Sequence, residues 1–446
     1  MNDTHGAFLN DDNGFPRIKT LLKSIKPDLI LHAGDFNTGP LESNAFYALP
    51  DIIALNDLKI DALTLGNHDF DVPKSVFLWQ KKKIQFPILG GNVLNEKHQP
   101  ACLPYIIKIV KGLKIAIIGV STLETMVNSL YGDSYGYTWS DPVDFIKKTL
   151  QEIQHKSDIR ILLSHLGQYE KTSKFFGDFH LMDYLEEGDI HVILGGHTRK
   201  ALDKPLLIKN TFIGHAGASN EYLGEVNLVK KNNTFSYSSL TLHKITKEIE
   251  EDKALKKKLL SFKEYSLKSQ KNILGEFLVQ EKNDPVLLRK QTTSYGTFIA
   301  KALKRASPLS LICGGCIRVI LEAGQISEKN IQEMFPFPNR ICSVKTSVEN
   351  FHDYYNNILK TGRTFPQLSA KITKQKECLK VDQTLFCENI SFETTDFLLK
   401  GGDFYPNIFK NDQFLITCSE ESALSRALSF FEKNPIIHEK IYYEPL

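Results

Sequence analysis

Short apolar runs recur through the first half of the chain, and nearly every one gives way to a glycine or a polar residue. Residues 28–33, 61–65, 114–119, 160–164 and 190–194 read as strands. Most are apolar without alternation, which predicts strands covered on both faces. Helical stretches lie between them, including 142–155, so the order is that of a layered α/β domain. Residues 243–271 are dense in Lys, Glu and Leu and contain no Gly or Pro. They predict a long exposed connector helix whose charges form its solvated face. The expected organisation is therefore a domain over 1–242, a linker helix over 243–271 and a second α/β domain over 272–446.

Composition narrows the picture. A chain of 446 residues with 42% hydrophobic and 24% charged positions has ample material for two cores and does not read as disordered. Its formal charge of +3 excludes a strongly basic binder of nucleic acid polymers. The longest apolar runs, such as 115–120, fall far short of the ~18 residues that a membrane span needs. The seven cysteines are odd in number and read as buried thiols rather than a disulfide framework. Cys313-Gly-Gly-Cys316 as a redox or metal pair is the alternative reading. No basic or apolar leader precedes Asp3, so no signal peptide is visible.

Metal-ligand residues stand where the predicted strands end. The segments are Asp3-Thr-His5, Gly34-Asp35, Gly66-Asn67-His68-Asp69-Phe70-Asp71, Ser164-His165 and Gly195-Gly196-His197. Ligands gather beyond the carboxyl ends of strands in α/β sheets, so these segments are expected to converge. Asp and His donors suit Zn²⁺ or Mn²⁺ better than Ca²⁺. A pair of such ions needs a bridging carboxylate, for which Asp35 is the candidate, and can activate water and clamp a phosphoryl group.

This order of motifs resembles the calcineurin-like metallophosphoesterases. Asn-Asp-Thr-His-Gly and Gly-Asn-His-Asp-Phe-Asp are similar to the 5′-nucleotidase/UDP-sugar hydrolase family. In the second half, Gly314-Gly-Cys-Ile-Arg318, Pro336-Phe-Pro-Asn339, Phe365-Pro-Gln-Leu-Ser369 and Gly401-Gly-Asp403 resemble that family's nucleotide-binding domain. The resemblance implies a four-layer α/β/β/α sandwich followed by an α/β substrate domain, and two divalent metal ions. Asp3, His5 and Asp35 would hold one ion; Asp35, Asn67, His165 and His197 the other. His68, oriented by Asp71, would stabilise charge on the transferring phosphoryl group, although Asp71 also suits a helix N-cap. Arg289 and Arg318 would bind phosphate, Phe337 and Phe397 would stack on the base, and Asn339 and Asp403 would complete the nucleotide site. The implied activity is removal of phosphate from nucleotides by an exported enzyme. With no leader in view, a cytoplasmic location stays open, as do a non-catalytic nucleotide-binding relic and a cyclic-nucleotide or sugar-nucleotide hydrolase.

The chain departs from the family pattern in four places. Arg199 stands where a further metal ligand is usual, and a guanidinium has no lone pair to give. Cys313 replaces an Asn expected at the base. Pro338 and Phe404 replace glycines near the pocket. Only Met1 and Asn2 precede Asp3, where the family has a buried strand. The chain therefore looks truncated at its start, with Asp3 and His5 expected on a loose end.

Overall fold

In a computed structural model that describes residues 1–10, 12–129, 135–204, 206–231, 234–279, 284–337 and 339–438, the chain forms two compact units, residues 1–264 and 265–446. Pro338 lies outside the described residues.

Two sheets form the core of the first unit. One holds β1 (Leu31–His32), β2 (Ala62–Thr64) and β3 (Ile88–Leu89), all parallel. The other holds β4 (Tyr105–Val110), β5 (Leu113–Ser121), β6 (Ile159–His165), β7 (Val192–Gly195), β8 (Leu206–Ile208) and β9 (Thr211–His215), in the order β8-β9-β7-β6-β5-β4. Strand parity sorts the apolar residues into layers. Ile115, Ile117, Ile161 and Leu163 meet Leu31, Ala62 and Leu89 between the sheets. Ala116, Ile118 and Leu162 instead meet Ile146, Leu150 and Ile153 of the helix Pro142–Ile153. That helix starts where the sequence says it should, with Pro142 in its first turn and the Asp141 carboxylate accepting from Val143 N and Asp144 N. On the far side of the small sheet, Leu63 and Leu65 pack with Phe15 and Ile18 of the helix Phe15–Ile25 and with Ile52 and Leu55 of the helix Leu49–Asp57. Helix, sheet, sheet, helix: this is the four-layer sandwich.

Three expectations are corrected. First, Asp3 and His5 are not loose. Ala33 N donates to Met1 O at 2.8 Å, Asp3 N to Gly34 O at 2.9 Å and His5 N to Asp35 O at 3.1 Å, so these residues add a lane beside β1 and are buried. Second, the charged stretch does not become helical at His243. His243 and Lys244 end β11 (Thr234–Lys244), which pairs antiparallel with β10 (Tyr222–Lys231), and the helix spans Lys253–Lys271. Its first turns are not fully solvated either, since Leu255 and Leu259 are buried in the first unit's core. Third, six of the seven cysteines are not thiols. Cys313–Cys316, Cys342–Cys418 and Cys378–Cys387 are disulfides, and Cys102 alone is a buried thiol.

The second unit is built on a mixed sheet of β12 (Leu309–Cys313), β13 (Arg340–Ser347), β14 (Pro366–Leu368), β15 (Asn389–Thr395) and β16 (Leu415–Ser422), in the order β14-β12-β15-β13-β16. Phe298, Phe351 and Phe431 of three flanking helices fill its core with strand residues such as Leu311, Val344 and Phe392. Cys342 and Cys418 are directly paired across β13 and β16. Among the described residues no helix is long and apolar enough to cross a membrane.

Candidate metal centre

Strand parity also delivers the first imidazole. His165 follows Ile161 and Leu163 on the face between the sheets, while Ser164 points the other way and bonds Asp178. His165 Nδ1 donates to Ala33 O at 2.7 Å, which leaves Nε2 facing Asp35 Oδ2 at 3.1 Å. His5 is oriented in the same manner. Its Nδ1 donates to Asn37 O at 3.0 Å, and its Nε2 lies 3.6 Å from both Asp3 Oδ1 and Asp35 Oδ2. Fixing one ring nitrogen to a carbonyl is how a ligating imidazole is aimed.

Two groups of donors result, Asp3–His5–Asp35 and Asp35–His165–His197, each with its ligand atoms within 4.8 Å of one another. Asp35 belongs to both. Its Oδ2 faces the two imidazoles, while Oδ1 accepts from His68 N at 2.8 Å. Asn67 joins the second group through Oδ1, 2.8 Å from His197 Nδ1, and His197 N donates to Asp3 Oδ2 at 2.9 Å. His68 Nδ1 donates to Asp71 Oδ2 at 2.5 Å, and the His68 and His5 rings lie 5.2 Å apart. Thr38 Oγ1 also donates to Asp71 Oδ2, at 3.0 Å. Asp71 is not an N-cap: the helix Lys74–Lys83 starts after Pro73 with no side-chain cap. All eight front residues singled out in the sequence thus form one contact network.

The atoms aimed inward fit divalent cations. Asp3 Oδ1, His5 Nε2, Asp35 Oδ2 and His165 Nε2 are buried and have no hydrogen-bond partner. Buried polar atoms left this way are costly unless a ligand completes them. Electrostatics agree. Against burial, which would raise it, the charges of His165 and His68 hold Asp35 well below the usual carboxylate range. Asp3 is likewise held down, chiefly by His5 and His165 against its burial. Burial favours neutral His165, yet the charges of Asp35 and Asp3 pull its pKa up to about 10, the mark of a site that favours positive charge. His5 differs: burial first, then the Arg199 charge, push it down to about 4. Arg199 itself is exposed.

The backbone is strained at the centre. Asp3, His5, Asp35 and His197 all have left-handed φ, at 48°, 45°, 58° and 81°. Such residues cost on the order of 1–3 kcal/mol each and persist where surrounding structure holds them. Close packing demands glycine beside them: a Cβ on Gly66 would sit 2.1 Å from Asp35 Oδ1, and one on Gly196 would sit 2.7 Å from Asp3 Oδ2.

Two contributors escaped sequence reasoning. Asp69 accepts from Gly66 N, Asp35 N, Phe36 N and Asn37 N at 2.8–3.2 Å, tying two ligand loops together. Burial, with Asp35 nearby, raises its pKa to about 7. Its place inside the Gly66–Asp71 motif was the available signal. Glu124 lies 3.2 Å from His197 Nε2 and is held by Tyr169 and Asn128. Nothing in its sequence context marked it.

In the second unit the nucleotide candidates also make a connected set. Asp403 Oδ2 accepts from Thr364 N at 3.1 Å and from its hydroxyl, and burial raises its pKa to about 6. Arg289 O accepts from Phe365 N at 2.9 Å, and the Arg289 charge acts on Asp403. The Arg318 guanidinium lies 5.6 Å from the Phe337 ring centroid. Phe337 and Asn339 line a depression together with Cys316, Phe335 and Thr395. Phe397 packs over Gly402, so closely that a Cβ there would lie 2.5 Å from the ring. Phe404 does what glycine would do, adopting a left-handed φ of 60° directly after Asp403 at 58°.

Residues 1–200 match the calcineurin-like phosphoesterase family, and the chain carries that metallophosphoesterase domain. Over nearly its whole length it is a homologue of bacterial 5′-nucleotidases. It is 27% identical to a 5′-nucleotidase of Vibrio cholerae over 93% of this chain and 86% of that one. It is 25% identical to Protein UshA of Escherichia coli over 99% of this chain and 91% of that one. A solved 5′-nucleotidase precursor from Thermus thermophilus shares the fold with a TM-score of 0.82 at 19% identity, covering 98% of this chain and 96% of that one. The homologues are named as phosphoester hydrolases.

Proposed function

We propose that this chain is a metal-dependent phosphohydrolase that removes phosphate from nucleotides, by in-line attack of water on phosphorus. The observation that carries the reading is the convergence of four buried donor atoms on Asp3, His5, Asp35 and His165 that face one another and have no hydrogen-bond partner elsewhere. Asp3, His5 and Asp35 would hold one divalent ion, and Asp35, Asn67, His165 and His197 a second; the donor set suits zinc or manganese. Bound there, the ions would lower the pKa of water and offset charge on the phosphoryl oxygens. His68, oriented by the hydrogen bond from Nδ1 to Asp71, would present its ring to the phosphoryl or leaving-group oxygen. Asp71 fixes the ring, and Thr38 fixes Asp71. In the second unit Arg318 and Arg289 supply charge for phosphate, Phe337 and Phe397 stacking faces for the base, and Asn339 and Asp403 polar contacts. The three disulfides, together with the relatives, support an exported protein.

The test is phosphate release from AMP by purified protein. Activity should vanish with excess EDTA and return with Mn²⁺ or Zn²⁺; undiminished turnover in EDTA overturns the reading. One observation favours a second reading, a nucleotide-binding relic: the Arg199 charge reaches His5, a ligand of the first group. Calorimetric binding of AMP without phosphate release under any metal would select it.

A further inference from the structure

The CxxC pair has no role in the chemistry above, yet it sits at the nucleotide subsite. The disulfide closes a single turn, with Gly314–Cys316 as a short 3-10 segment after β12. That turn is packed from behind: a Cβ on Gly314 would lie 2.0 Å from Leu288 O. Two of its backbone groups, both on Gly315, link it to the candidate substrate residues. Gly315 N donates to Thr364 Oγ1 at 3.0 Å, and Thr364 in turn donates to Asp403. Gly315 O accepts from Arg318 Nη1 at 3.5 Å, and Arg318 lies over Phe337. Cys316 itself lines the depression with Phe337, Asn339 and Thr395. That depression wants a polar ligand, because Asn339 Oδ1 and Thr395 Oγ1 are buried and have no partner.

We propose that the Cys313–Cys316 disulfide is a positioning element of the nucleotide subsite, so that nucleotide affinity, rather than the phosphoryl-transfer step, depends on its oxidation state. This rests on the nucleotide reading above. One short bridge fixes the turn that holds Arg318, on the phosphate side, and Asp403, through Thr364. A dithiol delivers two electrons and two protons to the S–S bond. The products are two protein thiols and the oxidised, cyclised dithiol. The freed turn then no longer holds Arg318 and Thr364 at a fixed separation. Where a hydrogen-bonding Asn would read the base, the bridge offers only sulfur, so the oxidised site binds by stacking and tolerates different bases.

The experiment is calorimetric binding of AMP, CMP and GMP to the full chain, with KM and kcat for AMP alongside. Wild type, Cys313→Ser/Cys316→Ser and Cys378→Ser/Cys387→Ser are compared with and without dithiothreitol. Oxidised wild type should bind the three nucleotides within about threefold of one another. The Cys313→Ser/Cys316→Ser variant should bind about tenfold more weakly, a loss comparable with one stacking contact. Its KM should rise and its kcat should stay within about twofold. Dithiothreitol should weaken wild type and the Cys378/Cys387 variant alike, and leave the Cys313/Cys316 variant where it is. Circular dichroism melting guards against misfolding, and Cys313→Ala/Cys316→Ala provides a second route if the serines unfold the turn. Equal affinity with and without the bridge overturns the inference while the nucleotide reading stands. No nucleotide binding to oxidised wild type overturns the nucleotide reading and this inference with it.

Discussion

The candidate metal centre and the depression beside Phe337 both contain buried polar atoms without hydrogen-bond partners, yet they are held by different means. At the centre every imidazole is tied by its second nitrogen, the ligand loops are stapled by Asp69, and four ligands sit in left-handed backbone. At the depression the anchoring is covalent, through the Cys313–Cys316 bridge, and Asp403 beyond it is engaged by Thr364. The difference follows from the ligands. A divalent ion tolerates errors of a few tenths of an ångström, so its donors must be rigid before it arrives. A stacked base tolerates sliding, so its site needs only faces and a few anchors.

The largest test of this contrast is His68→Asn. It should lower kcat about 10³-fold, near 4 kcal/mol, while metal content per chain, read by mass spectrometry, stays at the wild-type value. Metal loss in parallel with activity would mean that His68 belongs to the scaffold instead.

The rigidity of the front unit should carry a pH signature of its own. Asp51 is fully buried with Ser43 as its hydrogen-bond partner, and burial raises its pKa to about 8. A carboxyl whose folded pKa lies above its unfolded value of about 3.9 favours folding fully at low pH. That stability drains away as pH rises from about 4 to about 8, because only the folded state keeps the proton. Asp51→Asn should therefore gain on wild type across that window, and the gain should grow steadily with pH. Melting curves that run parallel at all pH values would contradict this.

For the depression, Phe337→Ala should raise KM for AMP about tenfold and leave kcat within about twofold. A fall in kcat alone would place Phe337 outside substrate binding. Smallest is Arg199→Gln. It should tighten the weaker of two Zn²⁺ sites by a few-fold in calorimetry, since a nearby positive charge is removed and a ligand restored. Unchanged stoichiometry and affinity would clear Arg199 of influence on the first group.

The chemistry of the front was visible early because each ligand follows a strand, and strand parity makes a local pattern into a direction. Ile161, Leu163 and His165 share one face for that reason. Where the decisive partner was distant, local pattern failed. Lys, Glu and Leu describe a charged strand as well as a charged helix, and only pairing of His243 with Leu223 decides for the strand. Cys342 and Cys418 are 76 residues apart and become neighbours only when β13 and β16 pair. The start of the chain looked loose because its hydrogen bonds go to residues 33–36. Glu124 carried no mark at all, since it matters only through the ring of His197.

Periodicity was enough to predict a layered α/β domain with its acids and imidazoles at the strand ends, and the motif order, through the family it resembles, predicted the four layers and the class of chemistry. Tertiary structure alone decided the disulfides, the burial of Asp3 and His5, the stapling role of Asp69 and the coupling of Arg318 to Asp403 through one turn. The division has a plain cause. Side-chain direction along a strand is set within a few residues, whereas pairing, burial and charge depend on which distant segments the fold brings alongside.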